Sequence, residues 1–484
     1  MTQEFSQLLH EVRAQGKEIR LDSRLVEEGD VFIAVPGVNE DGARFIPMAV
    51  ERGAAVIVCR SGSEEARHAA AQGRRVVYHE EPRTALWQLA QARYRTDVEA
   101  PKVIGVTGTN GKTTTAYLLE HLFKAMGFRT GVLGTVSYRW PGYEEAAPLT
   151  TPDALRVHHM LHEMYKAGVE YALMEVSSHA LDQQRVGGVP FIGAIFTNLT
   201  QDHLDFHKDM ENYFKAKAKL FLELPRADKA MAINADDPWG RRLLELCPQA
   251  LSYGLQNGEP GRRHLRGELL SSTTAGTHLR MTLDDRTWEL RSPLVGAFNA
   301  ANLMGVQGLI MSLGFDPAVF DHLRDFHGVS GRLERVLNDQ NRNVFVDYAH
   351  TPDALIKVLK ALRGAGFQRI VTVFGCGGNR DKTKRPIMGQ AVAEYSDVAV
   401  LTSDNPRKED PDAIIADVLP GLSAAKEVHV EADRRTATQL ALSLLHDGDA
   451  LLIAGKGHED YQIIGETKHP YSDQLTVKEL LACK

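Results

Sequence analysis

KVIGVTGTNGKTTT, Lys102 to Thr115, is the stretch on which the reading of this chain turns. The apolar run KVIGV has the look of a buried strand and breaks into Gly108, Thr109, Asn110 and Gly111. A helix is expected from Lys112 to Met126, with Ala116, Leu119, Phe123 and Met126 on one face and Gly127 as its C-cap. Strand, glycine loop and helix together make a phosphate site. Glycines let the main chain wrap around the anion, and the helix N-terminus supplies N–H groups and a positive dipole end. Lys112 then reaches the β- and γ-phosphates and Thr113 holds Mg²⁺. Val106 stands where GxxxxGK[ST] requires glycine, so the loop is a variant of that motif. The plain alternative, a glycine turn with a chance Lys-Thr pair, fits the strand-helix context poorly, and a nucleoside triphosphate is the expected ligand.

Outward from this segment the chain alternates strands and helices. After it come YALMEVS, GAIFTNL and KAMAINAD, the pattern of a parallel α/β sheet, and an alternating pair around Asp284-Asp285 that reads as an appended hairpin. Before it lie VFIAV, a helix over 47–53, AAVIVC and the helix TALWQLAQARYRT, ending in a linker at Glu99, Ala100 and Pro101. Beyond Gly331 the strand candidates are NVFVD, RIVTVFG, VAVLTSD, EVHVEAD and ALLIAG. Four of these run into polar segments, DYAHTPD, GCGGNRD, SDNPRKED and GKGHED. Ligands of open α/β sheets bind beyond the carboxyl ends of strands, so these segments point to one shared site. The expected class is α/β in three domains: a small N-terminal α/β domain (1–98), a central P-loop-type parallel sheet (99–330) and a C-terminal Rossmann-like domain (331–484).

Composition agrees with a 484-residue globular chain of about three domains. With 56 Lys plus Arg against 63 Asp plus Glu, the net charge of -7 argues against bulk nucleic-acid binding while allowing local basic pockets. No apolar run approaches the roughly 18 residues of a membrane span. The charged N-terminal segment has no signal-peptide core, so a cytoplasmic location is expected. Cys59, Cys247, Cys376 and Cys483 lie far apart, without the spacing of a zinc site or disulfide framework. HHMLH, with His158, His159 and His162, reads as a solvated helix face.

Two further segments carry chemistry. Glu175 in MEVSSH ends an apolar strand, where a carboxylate is well placed to bind Mg²⁺ directly or through water. FTNLTQDHLDFH supplies Asn198, Asp202, His203 and Asp205, and His203 is a candidate second metal ligand.

TGTNGKTTT, EVSSHALDQQR, TNLTQDHLDFH, GAFNAANL, SGRLERV, DYAHTPDAL, GCGGNRDKTKRP and DNPRKED occur in the order found in the Mur ligases, which the chain resembles along essentially its whole length. LDSRLVEEGDVFIAVPGVNEDG is similar to the uridine-binding domain of one member. The resemblance implies an ATP-dependent amide ligase of peptidoglycan precursor synthesis. In such an enzyme ATP phosphorylates a carboxylate, an amine attacks the acyl phosphate, and ADP and phosphate leave. It implies Mg²⁺ and closure of domains to exclude water; a monomer with no nucleic-acid partner is expected.

Residue by residue, the resemblance assigns Gly108 to Thr114, Asn302, Arg332 and Asp347 to ATP, with His350 in the same nucleotide-side motif. Lys112, Glu175, His203 and Lys217 form the catalytic set, and Lys217 stands where the family carries a carbamylated lysine that helps bind a second Mg²⁺. Lys215 and Lys219 make a basic helix face the plain alternative for Lys217. Leu21, Ser23, Val38, Asn39 and Glu40 fall near uridine, and Thr150, Thr151, Ser177, Gln183 and Arg185 near the diphosphate and peptide. Leu149 replaces a common Asn beside Thr150. The amino-acid pocket is assigned to Arg380, Asp404, Asn405, Pro406, Arg407, Gly455 and Glu459.

Members with DNPR add meso-diaminopimelate, whereas lysine-adding members lack that Arg. The chemistry agrees, because a guanidinium binds the distal carboxylate that lysine lacks. Glu459 then takes the distal ammonium. The expected substrates are ATP, UDP-N-acetylmuramoyl-L-alanyl-D-glutamate and meso-diaminopimelate. A P-loop switch or motor would not need the DNPR and GKGHED loops, a silent scaffold would be expected to lose Lys112 or Glu175, and a folylpolyglutamate- or cyanophycin-type ligase lacks this N-terminal domain.

Overall fold

The computed structural model describes residues 2–37, 41–223, 230–256, 258–259, 261–274, 276–326, 328–340 and 342–482. The chain packs into two compact units, Met1–Thr107 with Phe123–Ile195 and Tyr213–Met231, and Gly108–Leu122 with Phe196–Asn212 and Ala232–Lys484.

In the first unit, Ile19–Arg20, Val31–Ile33, Val56–Cys59 and Arg75–Tyr78 pair in parallel and in chain order. Side chains alternate across a strand, and both faces are covered, which is why Val31–Ile33 and Val56–Cys59 are continuously apolar. Val31, Val56, Val58 and Val77 meet Phe5 and Leu8 of the helix Gln3–Gln15 and Leu89 of Pro82–Tyr94. Phe32, Ile57 and Cys59 face Ile46 and Ala49 on the other side. The strands Phe191–Phe196, Lys102–Thr107, Tyr171–Glu175, Thr130–Leu133, Ser137–Trp140 and Tyr143–Ala146 follow one another in a second sheet. Lys102–Thr107 and Thr130–Leu133 both flank Tyr171–Glu175 in parallel.

In the second unit, Ala230–Asn234 and Leu251–Gly254 pair in parallel, and the expected hairpin is present as Gly276–Leu283 and Arg286–Ser292. Asp284 takes the left-handed φ of 56° that a two-residue hairpin loop favours. Leu279 faces Leu290 and Met281 faces Trp288, as the alternation requires. A strand absent from the sequence reading, His264–Thr273, joins this hairpin to Leu251–Gly254.

The C-terminal sheet runs Glu334–Arg335, Asn343–Asp347, Ala450–Ala454, Ile370–Phe374, Val398–Leu401 and Val428–Val430, parallel except for the first strand. DYAHTPD, GKGHED, GCGGNRD and SDNPRKED therefore leave the carboxyl ends of the second to fifth strands in this order. The reading of HHMLH needs correction at one position. His159 is exposed, but His158 is fully buried, bonded to Thr96 and to the Gly187 carbonyl, and burial pushes its pKa down to about 4. No helix among the described residues is long and apolar enough to cross a membrane.

Candidate functional site

The loop Gly108–Gly111 is held from below by the segment after Phe196. Thr109 N–H donates to the Asn198 carbonyl (2.8 Å), Asn110 N–H to the Asn198 side chain (3.1 Å), and the Thr197 hydroxyl to the Asn110 carbonyl (2.6 Å). Gly108 and Gly111 have φ of 152° and 88°. A Cβ would lie 1.9 Å from the Thr197 hydroxyl at Gly108 and 2.4 Å from the Asn302 amide oxygen at Gly111. The cradle thus has room for main chain only, and it leads directly into the N-terminus of the helix Lys112–Ala125, whose dipole favours an anion. Lys112 Nζ curls over the loop, donating to the Gly108 and Thr109 carbonyls at 2.9 Å each.

Several expected ATP residues meet at this loop. Asn302 backs Gly111, its amide nitrogen bonded to Asn299. Arg332 donates to the Thr113 hydroxyl (3.3 Å), lies over the Tyr348 ring and has a buried Nε with no partner. Asp347 is buried and accepts the Leu333 and Ala349 N–H groups, so it shapes the turn that carries Arg332. Burial pushes its pKa up, against the lowering effect of Arg332. His350 is exposed, with its ring nitrogen on the Tyr348 carbonyl. The sequence reading missed Asp353, whose carboxylate accepts from both the Asn110 amide and the Thr200 hydroxyl at 2.9 Å. It ends the quoted DYAHTPD, so the motif was visible although the contact was not. His203 adopts φ of 53° and lies 3.4 Å from Asp202. No group of three or more His, Cys, Asp or Glu able to hold a metal ion occurs among the described residues.

Glu175 sits in the first unit and is fully buried, accepting the Thr135 N–H (2.8 Å) and hydroxyl (2.9 Å). A Cβ on Gly134 would lie 2.3 Å from its carboxylate. Around the strand end, Thr135 meets the Thr150 hydroxyl, Thr151 donates to the Glu175 carbonyl, and Ser177 caps the helix Ser178–Asp182. Arg185 donates to the Thr151 carbonyl and to Gln183, and burial lowers its pKa. Tyr138 bonds the Leu149 carbonyl, so main chain holds this position whatever its side chain. On the helix Met210–Leu222, Lys215 is exposed and Lys219 half-buried, while Lys217 is buried with its ammonium over the Tyr213 ring. A uniform basic face is therefore not what this helix presents.

A cavity of about 370 Å³ in the same unit is lined by Leu21, Phe45, Arg83, Gln183 and Arg185 among others. Three of these were expected at the nucleotide-sugar site. Phe45 and Arg83 were not; Phe45 offers an exposed ring edge or face, and Arg83 is anchored on the Pro36 carbonyl. Ser23 is buried with its hydroxyl on Met48. Val38, Asn39 and Glu40 lie outside the described residues.

The third group gathers at the carboxyl ends of the C-terminal sheet. Arg407 has φ of 54° and is pinned by main-chain bonds to Ile463 and Gly465. Its guanidinium donates to the Gly378 carbonyl (2.9 Å). Gly378 N–H donates to Asn405, and a Cβ there would lie 1.9 Å from the Pro406 carbonyl, so GCGGNRD and DNPR fit only as glycine against main chain. Asn405 donates to Glu459 (2.9 Å), and Gly455, with φ of 114°, opens toward Asp404. Burial holds the Glu459 carboxyl above its usual range, with Lys456 the main opposing influence. Arg380 is exposed beside this cluster, with its chain near Gly377. Lys456 is fully buried, and the sequence reading passed over it while quoting GKGHED.

Three family descriptions match the chain: Mur ligase family, catalytic domain, over residues 17–94; Mur ligase middle domain over 106–310; and Mur ligase, glutamate ligase domain, over 331–457. The chain is 55% identical over 467 residues to the UDP-N-acetylmuramoyl-L-alanyl-D-glutamate--2,6-diaminopimelate ligase of Lawsonia intracellularis, covering 96% of each. It is 47% identical over 463 residues to the ligase of the same name from Gloeobacter violaceus, covering 95% of this chain and 93% of that one. A solved structure of a ligase with that name superposes with a TM-score of 0.67 at 34% identity, covering 96% and 94%. The MurF ligase of Thermotoga maritima in complex with ADP has a TM-score of 0.61 at 19% identity, covering 91% and 94%, and shares the fold.

Proposed function

Since the chain belongs to the Mur ligase family, we propose that it joins meso-2,6-diaminopimelate to UDP-N-acetylmuramoyl-L-alanyl-D-glutamate, using ATP, in peptidoglycan precursor synthesis. A carboxylate oxygen of the nucleotide-sugar peptide attacks the γ-phosphorus and ADP leaves. The amine nitrogen then attacks the acyl carbon, phosphate leaves with the bonding pair, and the nitrogen sheds a proton. Both steps bring anions together, so their rates depend on cations placed in advance.

This chain's residues meet that need separately. Lys112 and the Gly108–Gly111 main chain take the phosphates, with Arg332 beside Thr113. Mg²⁺ accepts oxygen donors, and the buried Thr113 hydroxyl and Glu175 carboxylate are of that kind. When bound, the ion offsets the charge on the transferring phosphoryl group. His203 completes the catalytic set. Lys217 stands where the family carries a carbamylated lysine, and its burial sets it apart from the exposed Lys215, which supports that role for it. Lys217→Ala should lose activity and regain part of it with added short carboxylates; normal activity in that variant would sink the carbamate. The nucleotide sugar fits the cavity of Leu21, Gln183 and Arg185. Domain limits at 98/99 and 330/331, a cytoplasmic location and action as a monomer complete the reading.

The observation that carries the amino-acid choice is the cation Arg407 held on the same strand-end cluster as the carboxylates Asp404 and Glu459. That arrangement matches an ammonium and a carboxylate on one carbon. Phosphate release with the nucleotide-dipeptide and each candidate amino acid tests it. Equal turnover with L-lysine would exclude this assignment.

A further inference from the structure

A lysine with no exposed surface needs an explanation. Lys456 leaves the strand Ala450–Ala454 and ends among four acceptors. Its Nζ donates to the Asn405 amide oxygen (3.0 Å) and to the Tyr461 carbonyl (2.8 Å). It also lies 3.3 Å from the Asp404 carboxylate and 3.5 Å from that of Glu459. An ammonium has three donors, so the third goes to Glu459, and Asp404 is held by charge alone. Burying that charge is costly unless carboxylates pair with it, and a brace between loops would not need a charge at all.

The contacts also decide orientation. Asn405 takes Lys456 and the Ile463 N–H on its oxygen, which leaves its amide nitrogen to hold Glu459 at 2.9 Å. Lys456, with the Ile463 N–H, therefore sets Asn405, and through it Glu459. The charges add up in the same sense. Asp404 and Glu459 carry two negative charges against the one positive charge of Lys456, so one carboxylate charge is left for a ligand's ammonium, as Arg407 in the same cluster is left for its carboxylate. Asp404 Oδ1 is buried and has no hydrogen-bond partner.

Resting on the proposed amino-acid pocket, we infer that Lys456 is a positioning residue that fixes Asn405 and Glu459 and offsets only one of the two carboxylate charges, leaving the other for the substrate's distal ammonium. The groups facing Glu459 are Lys456 on its own loop, Asn405 and Asp404 on the neighbouring one, and Tyr348 and Tyr461. Without Lys456, Glu459 keeps its burial and the repulsion of Asp404 and loses its main opposing charge, so it protonates at higher pH.

The test is steady-state kinetics of full-length Lys456→Gln with diaminopimelate as varied substrate, across pH. The KM for diaminopimelate should rise about tenfold or more, as for loss of a charge-assisted contact. The KM values for ATP and the nucleotide-dipeptide should stay within about twofold, and the acid limb of kcat/KM for diaminopimelate should move to higher pH. In a Glu459→Gln background that movement should vanish. If Lys456→Gln does not fold by circular dichroism, Lys456→Arg takes its place: it keeps the charge but not the single donor atom, so the KM should rise while the limb stays. An unchanged KM for diaminopimelate, or an equal rise for all three substrates, overturns the inference. Wild-type protein that does not use diaminopimelate overturns the pocket assignment, and the inference with it.

Discussion

The phosphate loop and the amino-acid pocket are built alike and finished differently. Both are glycine-rich turns at the carboxyl ends of strands, with main chain packed where no Cβ fits, at Gly108 and Gly111 in one and at Gly378 in the other. Each contains a lysine. Lys112 is half-buried and donates to the carbonyls of its own loop. Lys456 is fully buried and paired with carboxylates, which an incoming ligand cannot displace. The lysine proposed to meet the phosphates keeps exposed surface; the lysine proposed to place other side chains is enclosed. The arginines follow the same division, with Arg407 pinned through its main chain at a left-handed φ while its side chain remains half-buried.

The largest effect that could break this comparison is expected at Arg407. Arg407→Ala should collapse the preference for diaminopimelate over L-lysine, which for a site deprived of a polar partner amounts to about 10⁴-fold or somewhat less with water leakage. Paired kcat/KM values with the two amino acids check it, and an equal loss for both would remove Arg407 from the pocket. Next comes Lys112→Ala, which should slow phosphate release by about 10²–10³-fold, the range for one preorganised charge donor. A variant keeping more than about a tenth of wild-type activity would show that the loop main chain suffices.

A smaller change tests whether the loop is also held firmly by its neighbours. Asp353→Ala removes the acceptor shared by Asn110 and Thr200, and should raise the KM for ATP about tenfold while leaving that for diaminopimelate unchanged. Titration of ATP affinity by fluorescence or calorimetry would reveal an unaltered loop. The smallest effect concerns pH. Because burial raises the Glu459 pKa, kcat/KM for diaminopimelate should decline, as pH falls, from above the ordinary glutamate range, and kcat/KM for ATP should not follow it. The folded state takes up this proton more readily than the unfolded chain, so protonation favours the fold and activity is lost before structure. A Glu459→Gln profile that retains the limb would assign it to another group.

Much of this was legible before the fold was known, for reasons that can be named. Periodicity placed the strands and the helix after Lys112, because one face of each must be apolar to be buried. The two-residue Asp284-Asp285 turn announced its hairpin, whereas His264–Thr273 did not announce itself, since its residues are mostly polar and a register shift between Leu269 and Ser271 interrupts the alternation. Motif chemistry brought attention to the right loops but not to the right atoms. His158 and His159 are neighbours with opposite fates, one bonded in the core and one in water. Lys215, Lys217 and Lys219 alternate along a helix whose packing alone singles out the middle one.

By itself the amino-acid order determined the α/β class, the phosphate loop, the four polar strand ends and, through DNPR, the amino acid expected there. The class, the loop and the strand ends follow from local rules, apolar periodicity and glycine where the main chain must bend closely; the amino acid follows from the resemblance to the Mur ligases, with which matching charge to charge agrees. Tertiary structure alone decided that Asp353 steadies Asn110, that Asp347 shapes a turn, and that Lys456 stands behind Glu459. Each of those facts joins residues distant in sequence or depends on burial. The cost of burying a charge, which makes Lys456 informative, does not exist until the chain has folded around it.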